Sequence, residues 1–125
     1  MEYYTVGDNE WKTAENWPVP ETEKVELFLD SNGDANTSYG DGKIVFEKPE
    51  EEKADEYEYD PNNPSIHIID MSENEIEVPE DYTEEEKRDD MLCYTTDVLE
   101  EDFTITGDMD VELYVSSDAV DTDFI

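Results

Sequence analysis

Short runs of alternating apolar and polar residues, each closed off by Gly, Asn, Asp or Pro, are what most limit the folds open to this chain. In Met109-Asp110-Val111-Glu112-Leu113-Tyr114-Val115-Ser116 the residues Met109, Val111, Leu113 and Val115 are in phase, and Val25, Leu27 and Leu29 repeat the pattern in Lys24–Asp30. A period of two turns one face toward a core and the other toward water, as in an antiparallel sheet. Weaker strands are expected at Tyr3–Val6, Lys43–Glu47, Glu56–Tyr59, Ile66–Ile69, Met91–Thr95 and Phe103–Thr106. Between them Ser31-Asn32-Gly33-Asp34, Tyr39-Gly40-Asp41-Gly42, Asp60-Pro61-Asn62-Asn63-Pro64 and Thr106-Gly107-Asp108 read as corners. Gly supplies positive φ there, Asn and Asp close local turns, and Pro fixes φ. Many short strands with such turns predict an all-β sandwich or barrel. A capping-box pattern at Thr83-Glu84-Glu85-Glu86, followed by Lys87 and Arg88, predicts one short helix. The acidic stretch from Glu47 to Asp55 reads as a solvated loop.

Composition argues the other way. Acidic residues number 39 against 7 basic, a net charge of −32, with 35% hydrophobic residues. High charge with little apolar surface is the signature of disorder, and the alternating pattern is what overrides it. The same charge excludes nucleic acid and anionic membrane surfaces as partners, since both are bound through clustered Lys and Arg. No apolar run approaches the ~20 residues needed to span a bilayer. The start, Met1-Glu2-Tyr3-Tyr4, has no basic segment followed by an apolar one, so a signal peptide is not expected and the cytoplasm is the default compartment. The charge also fits a high-salt medium, where counter-ions screen the carboxylates; six Lys to one Arg does not decide the matter.

Candidate chemistry is sparse. His67 is the single histidine, inside Ser65–Ile69, and no Gly-x-Ser-x-Gly elbow occurs, so a serine-hydrolase triad is not expected within this chain. Cys93, between Leu92 and Tyr94, reads as a small packed residue rather than a nucleophile, and a single Cys makes no internal disulfide. Asp30–Asp34 has the look of a calcium loop, but Ala35 breaks the ligand pattern, and a turn is expected. Asp118, Asp121 and Asp123 form a second carboxylate cluster, in which the spacing by two of Asp121 and Asp123 would put them on one strand face; in so acidic a chain that spacing arises by chance, and no metal or other cofactor is expected. Gly40-Asp41-Gly42 lacks the Lys and following helix of a phosphate loop and reads as a hairpin turn. Trp11 and Trp17 are expected to flank a loop, either pinning it to a neighbouring surface or offering stacking platforms for sugars.

Taken in order, several segments resemble the C-terminal domain of the X-Pro dipeptidyl-peptidase and cocaine-esterase-like hydrolases. They are Gly7-Asp8-Asn9-Glu10-Trp11 with Trp17-Pro18; Gly33-Asp34-Ala35-Asn36 with Gly40-Asp41-Gly42-Lys43-Ile44; Tyr59-Asp60-Pro61 with Pro64; Arg88–Thr96; and Ser116-Ser117-Asp118-Ala119 with Asp121-Thr122-Asp123-Phe124. Ile66–Lys87 matches in general spacing alone. The resemblance implies a jelly-roll-like antiparallel β-sandwich of the galactose-binding type, attached to an α/β-hydrolase whose Ser/Asp/His triad lies outside this chain. It implies that residues 1–20 lead out of the catalytic domain and residues 21–125 form the first part of the sandwich, which would continue beyond Ile125. No catalytic residue is carried over. The implied role is non-catalytic: packing on the catalytic domain of a dipeptidyl-peptidase or ester hydrolase and shaping its entrance. Trp11, Trp17, Ile66, Ile68, Asp118, Asp121 and Asp123 are the candidate interface residues. The apolar groups on both faces of Ile66–Ile69 motivate that reading. The alternative is a free-standing carbohydrate-binding module built on Trp11 and Trp17.

Overall fold

The computed structural model describes residues 1–51, 53–66 and 81–122. The chain divides into two compact units, one made of Met1–Lys24 and Thr104–Ile125, the other of Val25–Phe103.

In the first unit β1 (Glu2–Thr5) and β2 (Glu10–Thr13) form an antiparallel hairpin, with Tyr3 opposite Lys12 and Tyr4 opposite Trp11. Trp11 therefore lies in a strand and not in the expected loop. The reason sits in Gly7-Asp8-Asn9: Gly7 at φ 99° and Asn9 at φ 57° are residue types that enter the left-handed region at low cost and so reverse the chain. The Asn9 amide N–H donates to the Thr5 carbonyl at 2.9 Å, the Tyr4 hydroxyl donates to Asn9 Oδ1 at 3.2 Å, and Thr5 is buried.

In the second unit β3 (Phe28–Asp30) pairs antiparallel with β4 (Lys43–Val45), Leu29 facing Ile44. Here the expected face is reversed. Phe28 and Asp30 are the half-buried side chains, whereas Val25, Leu27 and Leu29 stay 49, 42 and 43% exposed. The run Met91–Thr95 is not one continuous strand, because it changes partner midway. It bridges Asn36 antiparallel at Leu92 and Lys43 in parallel at Thr95. The Cys93 N–H donates to the Ala35 carbonyl at 2.8 Å, and the Ile44 N–H to the Thr95 carbonyl at 2.9 Å.

The predicted helix is a single 3₁₀ turn, Glu85–Lys87, and the capping box is not made: Glu84 takes the N-cap position without a side-chain bond. Asp81 Oδ1 instead accepts the Thr83 N–H at 2.9 Å. No strand forms among the described residues at Glu56–Tyr59, Phe103–Thr106 or Met109–Ser116, and Ile66, the described end of the expected strand Ile66–Ile69, is in none. Alternation prepares a face, but a strand exists only where a neighbour receives its ladder bonds. The architecture is all-β and antiparallel with two sheets, as a sandwich requires; jelly-roll order involves more strands than the four described.

Candidate functional site

Ala35 is wholly buried, and a network of hydrogen bonds surrounds it. Three segments that the sequence presents as separate turns and strands meet there: Ser31–Thr37, Gly40–Ile44 and Met91–Thr95. Backbone approaches backbone so closely that two positions have no room for a side chain. A Cβ on Gly42 would fall 2.1 Å from the Cys93 carbonyl oxygen and 2.9 Å from Ala35 Cβ; one on Gly40 would fall 2.3 Å from the Asp34 carbonyl oxygen. Glycine is required at these two positions by contact, not by backbone conformation.

Asp55 ties the first and third of these segments together. Its Oδ2 accepts the Ser31 hydroxyl at 2.6 Å and the Tyr94 hydroxyl at 2.6 Å, and its Oδ1 accepts the Ala35 N–H at 2.9 Å. Burial pushes the Asp55 carboxyl upward, but the bonds from Ser31, Tyr94 and Ala35 outweigh it and hold the group below the ordinary carboxylate range. The counterpart is Tyr94, whose phenol is pushed up by burial and by donating to Asp55. Asp55 was missed in the sequence, where it is the last member of an apparently solvated acidic stretch. No local pattern separates it from its acidic neighbours, because its partners lie 20 to 39 residues away.

Nearby, Asp41 Oδ2 accepts the Asn32 N–H at 3.0 Å, while its Oδ1 is buried without a hydrogen-bond partner. The Asn36 side-chain amide donates to the Glu56 carbonyl at 3.0 Å and to the Asp89 carbonyl at 2.7 Å. The single arginine, Arg88, grips Asp90 through Nε at 2.8 Å and through a terminal nitrogen at 2.6 Å, and reaches the Asn63 carbonyl at 2.5 Å. That planar fork fixes the Asp60–Pro64 corner against the 3₁₀ turn, geometry a lysine cannot reproduce.

None of these groups is arranged as a nucleophile with a base. Ser31 donates to a carboxylate and accepts the Gly33 N–H at 3.1 Å, which closes the turn expected at Asp30–Asp34. The Cys93 thiol is pushed up by burial and by the neighbouring Glu86, which suppresses the thiolate. We expect Cys93 to react with iodoacetamide at least about tenfold more slowly than free cysteine at mildly alkaline pH; a rate equal to that of the free amino acid in a mass-shift assay would contradict this. Among the described residues no group of three or more His, Cys, Asp or Glu side chains is placed to hold a metal ion.

The candidate interface residues fall in different places. Trp11, 73% exposed, meets Tyr4 edge-on at 5.4 Å between ring centroids, and Trp17, in a cis Trp17–Pro18 peptide, meets Tyr3 edge-on at 6.3 Å. Tyr3 and Tyr4 are consecutive in β1 and point to opposite faces, so the two indoles lie on opposite faces of the hairpin. Asp118 and Asp121 are exposed in the same unit. Ile66 belongs to the other unit and is 63% exposed; its N–H donates to Glu85 Oε2 at 3.2 Å. Ile68, Asp123 and His67 lie outside the described residues.

Of the segments that carry the resemblance, Gly33–Asn36, Gly40–Ile44 and Arg88–Thr96 are the ones that meet at Ala35. Comparison with known proteins agrees. The family model described as the X-Pro dipeptidyl-peptidase C-terminal non-catalytic domain matches residues 1–125. The chain is 39% identical over 123 residues to a cocaine esterase from Rhodococcus sp. (strain MB1 Bresler), covering 97% of this chain and 21% of that protein. It thus spans about a fifth of the length of this curated relative. The chain belongs to the X-Pro dipeptidyl-peptidase C-terminal non-catalytic domain family.

Proposed function

We propose that this domain is an early part of a jelly-roll sandwich that packs on the α/β-hydrolase domain of a parent serine hydrolase and shapes its active-site entrance. The parent would cleave esters or N-terminal dipeptides through an acyl-enzyme. The supporting observation is the amount of patterned apolar surface left uncovered: Met109, Val111, Leu113 and Val115 are 77, 81, 50 and 54% exposed. Large apolar side chains left this exposed are available for burial against another part of the parent. The alternative, a carbohydrate-binding module, needs Trp11 and Trp17 to present neighbouring platforms to one ligand, and their placement on opposite faces of the hairpin argues against it.

The test is Leu113→Asp in the full-length parent enzyme, which places a charge in the proposed contact. Amide exchange in catalytic-domain surface peptides is expected to rise about fivefold, the equivalent of losing roughly 1 kcal/mol of docking. Turnover of a bulky ester is expected to fall more than that of a small one. Unchanged exchange and unchanged substrate preference would reject the proposal.

A further inference from the structure

We propose that the fold of this domain is gated by ionic strength: a dense atmosphere of monovalent cations is a structural requirement, supplied by near-molar salt rather than by bound ions or internal ion pairs. The argument starts from the imbalance of 39 acidic to 7 basic residues. Internal pairing relieves little of it. Among the described residues Lys12 pairs with Asp8, Lys43 with Asp97, Lys87 with Glu84, and Arg88 with Glu85 and Asp90. All but Lys43–Asp97 join residues within four positions of each other, so they tie nothing distant together. That one long-range pair is open at 3.7 Å, with its side chains 56 and 91% exposed.

Many of the other described carboxylates stand at the surface in runs of like charge. Glu50 and Glu51 are exposed, as are Glu100, Glu101 and Asp102. Their repulsion is opposed by very little burial, since Ala35 is the one fully buried apolar residue described. Compaction brings these charges within reach of one another, and net charge this far from zero destabilises the compact state. Screening decides the balance. The Debye length is about 8 Å at physiological ionic strength, long enough to couple neighbouring runs, and about 3 Å at 1 M, which confines repulsion to immediate neighbours. The cations act as an atmosphere and not as ligands: among the described residues no group of three or more His, Cys, Asp or Glu side chains is placed to hold a metal ion. Sodium and potassium should therefore serve equally, and a chelator should do nothing.

The experiment follows amide exchange in peptides covering 41–45 and 91–96 of the full-length protein, from about 0.1 M to about 3 M KCl. The Ile44 and Cys93 amides close the Ala35 region, and their protection is expected to rise at least about tenfold across that range. Salts also strengthen apolar burial by exclusion from the surface, so a second arm separates charge from that effect. Glu50→Lys/Glu51→Lys/Glu100→Lys/Glu101→Lys should reach the same protection at markedly lower KCl, whereas the matching Glu→Asp set should follow the wild type. Protection that is flat with salt, or a Lys variant that needs as much salt as the wild type, overturns the proposal.

Discussion

Gly42→Ala is expected to open the Ala35 region, at a cost of about 3 kcal/mol. The methyl carbon would sit 2.1 Å from the Cys93 carbonyl oxygen and 2.9 Å from Ala35 Cβ, far inside ordinary contact distance. Neither neighbour is the free end of a long side chain. The carbonyl belongs to a residue whose own N–H is bonded to Ala35, and Ala35 Cβ is wholly enclosed. Relief therefore requires the Met91–Thr95 segment to move away, breaking the Cys93–Ala35 and Thr95–Gly42 backbone bonds together. Overpacking a filled core typically costs about 1–3 kcal/mol, and the rigid partners place this case at the upper end. Exchange of the Cys93 amide should accelerate by two orders of magnitude, the equivalent of about 2.7 kcal/mol. A variant with wild-type exchange would show that the close approach is not a feature of the folded protein.

The second large effect belongs to Asp55, and pH identifies it. Asp55→Ala leaves the Ser31 and Tyr94 hydroxyls and the Ala35 N–H without their shared acceptor, expected to cost about 3 kcal/mol given the usual penalty for each unsatisfied partly buried group. Asp55→Asn should be much milder, about 1 kcal/mol. Its oxygen can still accept from Ala35, while its NH₂ donates to hydroxyl oxygens that rotate to receive it. Asp55→Asn and the wild type should differ in acid. Asp55 has a folded-state pKa below its ordinary value of 3.8, so its contribution is fully present above that value and is lost as pH falls toward the folded one. Asp81 and Asp90 are lowered as well, by Thr83 and by Arg88 respectively, and act with the same sign in both proteins. Protonation of the many surface carboxylates works in the opposite direction by relieving repulsion. Wild type minus Asp55→Asn cancels both, and the difference should shrink as pH drops below about 4. A difference that stays constant down to pH 2 would remove Asp55 from the role given to it.

The outline of the fold was legible where turn chemistry and strand pattern coincide. Tyr3–Val6 and Lys43–Glu47 are found, within two residues, as Glu2–Thr5 and Lys43–Val45, because each is followed or preceded by a glycine turn that fixes its end. β2 was hidden because Glu10-Trp11-Lys12-Thr13 has one apolar residue and shows no alternation; Gly7 and Asn9 were the available signal. Met109–Ser116 failed for the opposite reason. Its alternation is the clearest in the chain, yet pattern specifies a face and not the strand that must receive its bonds. The central region around Ala35 was half visible. Its glycines appeared as turn residues, which is how short-range reading accounts for any glycine, and the close approach of distant carbonyls is a long-range fact. Asp55 has no sequence mark at all.

The enclosure of Ala35 by Gly40, Gly42 and backbone has a consequence for how this domain tolerates variation. In most proteins the largest apolar side chains are the least replaceable. Here, among the described residues, they are mainly at the surface, where Val25, Leu27, Ile105 and Val120 can be exchanged one at a time with small effect unless another part of the parent covers them. The intolerant positions are occupied by the smallest residues in the alphabet. A saturation library would invert the customary profile, with its deepest losses at one alanine and two glycines, and a designer seeking stability would gain more by leaving those atoms alone than by enlarging anything around them.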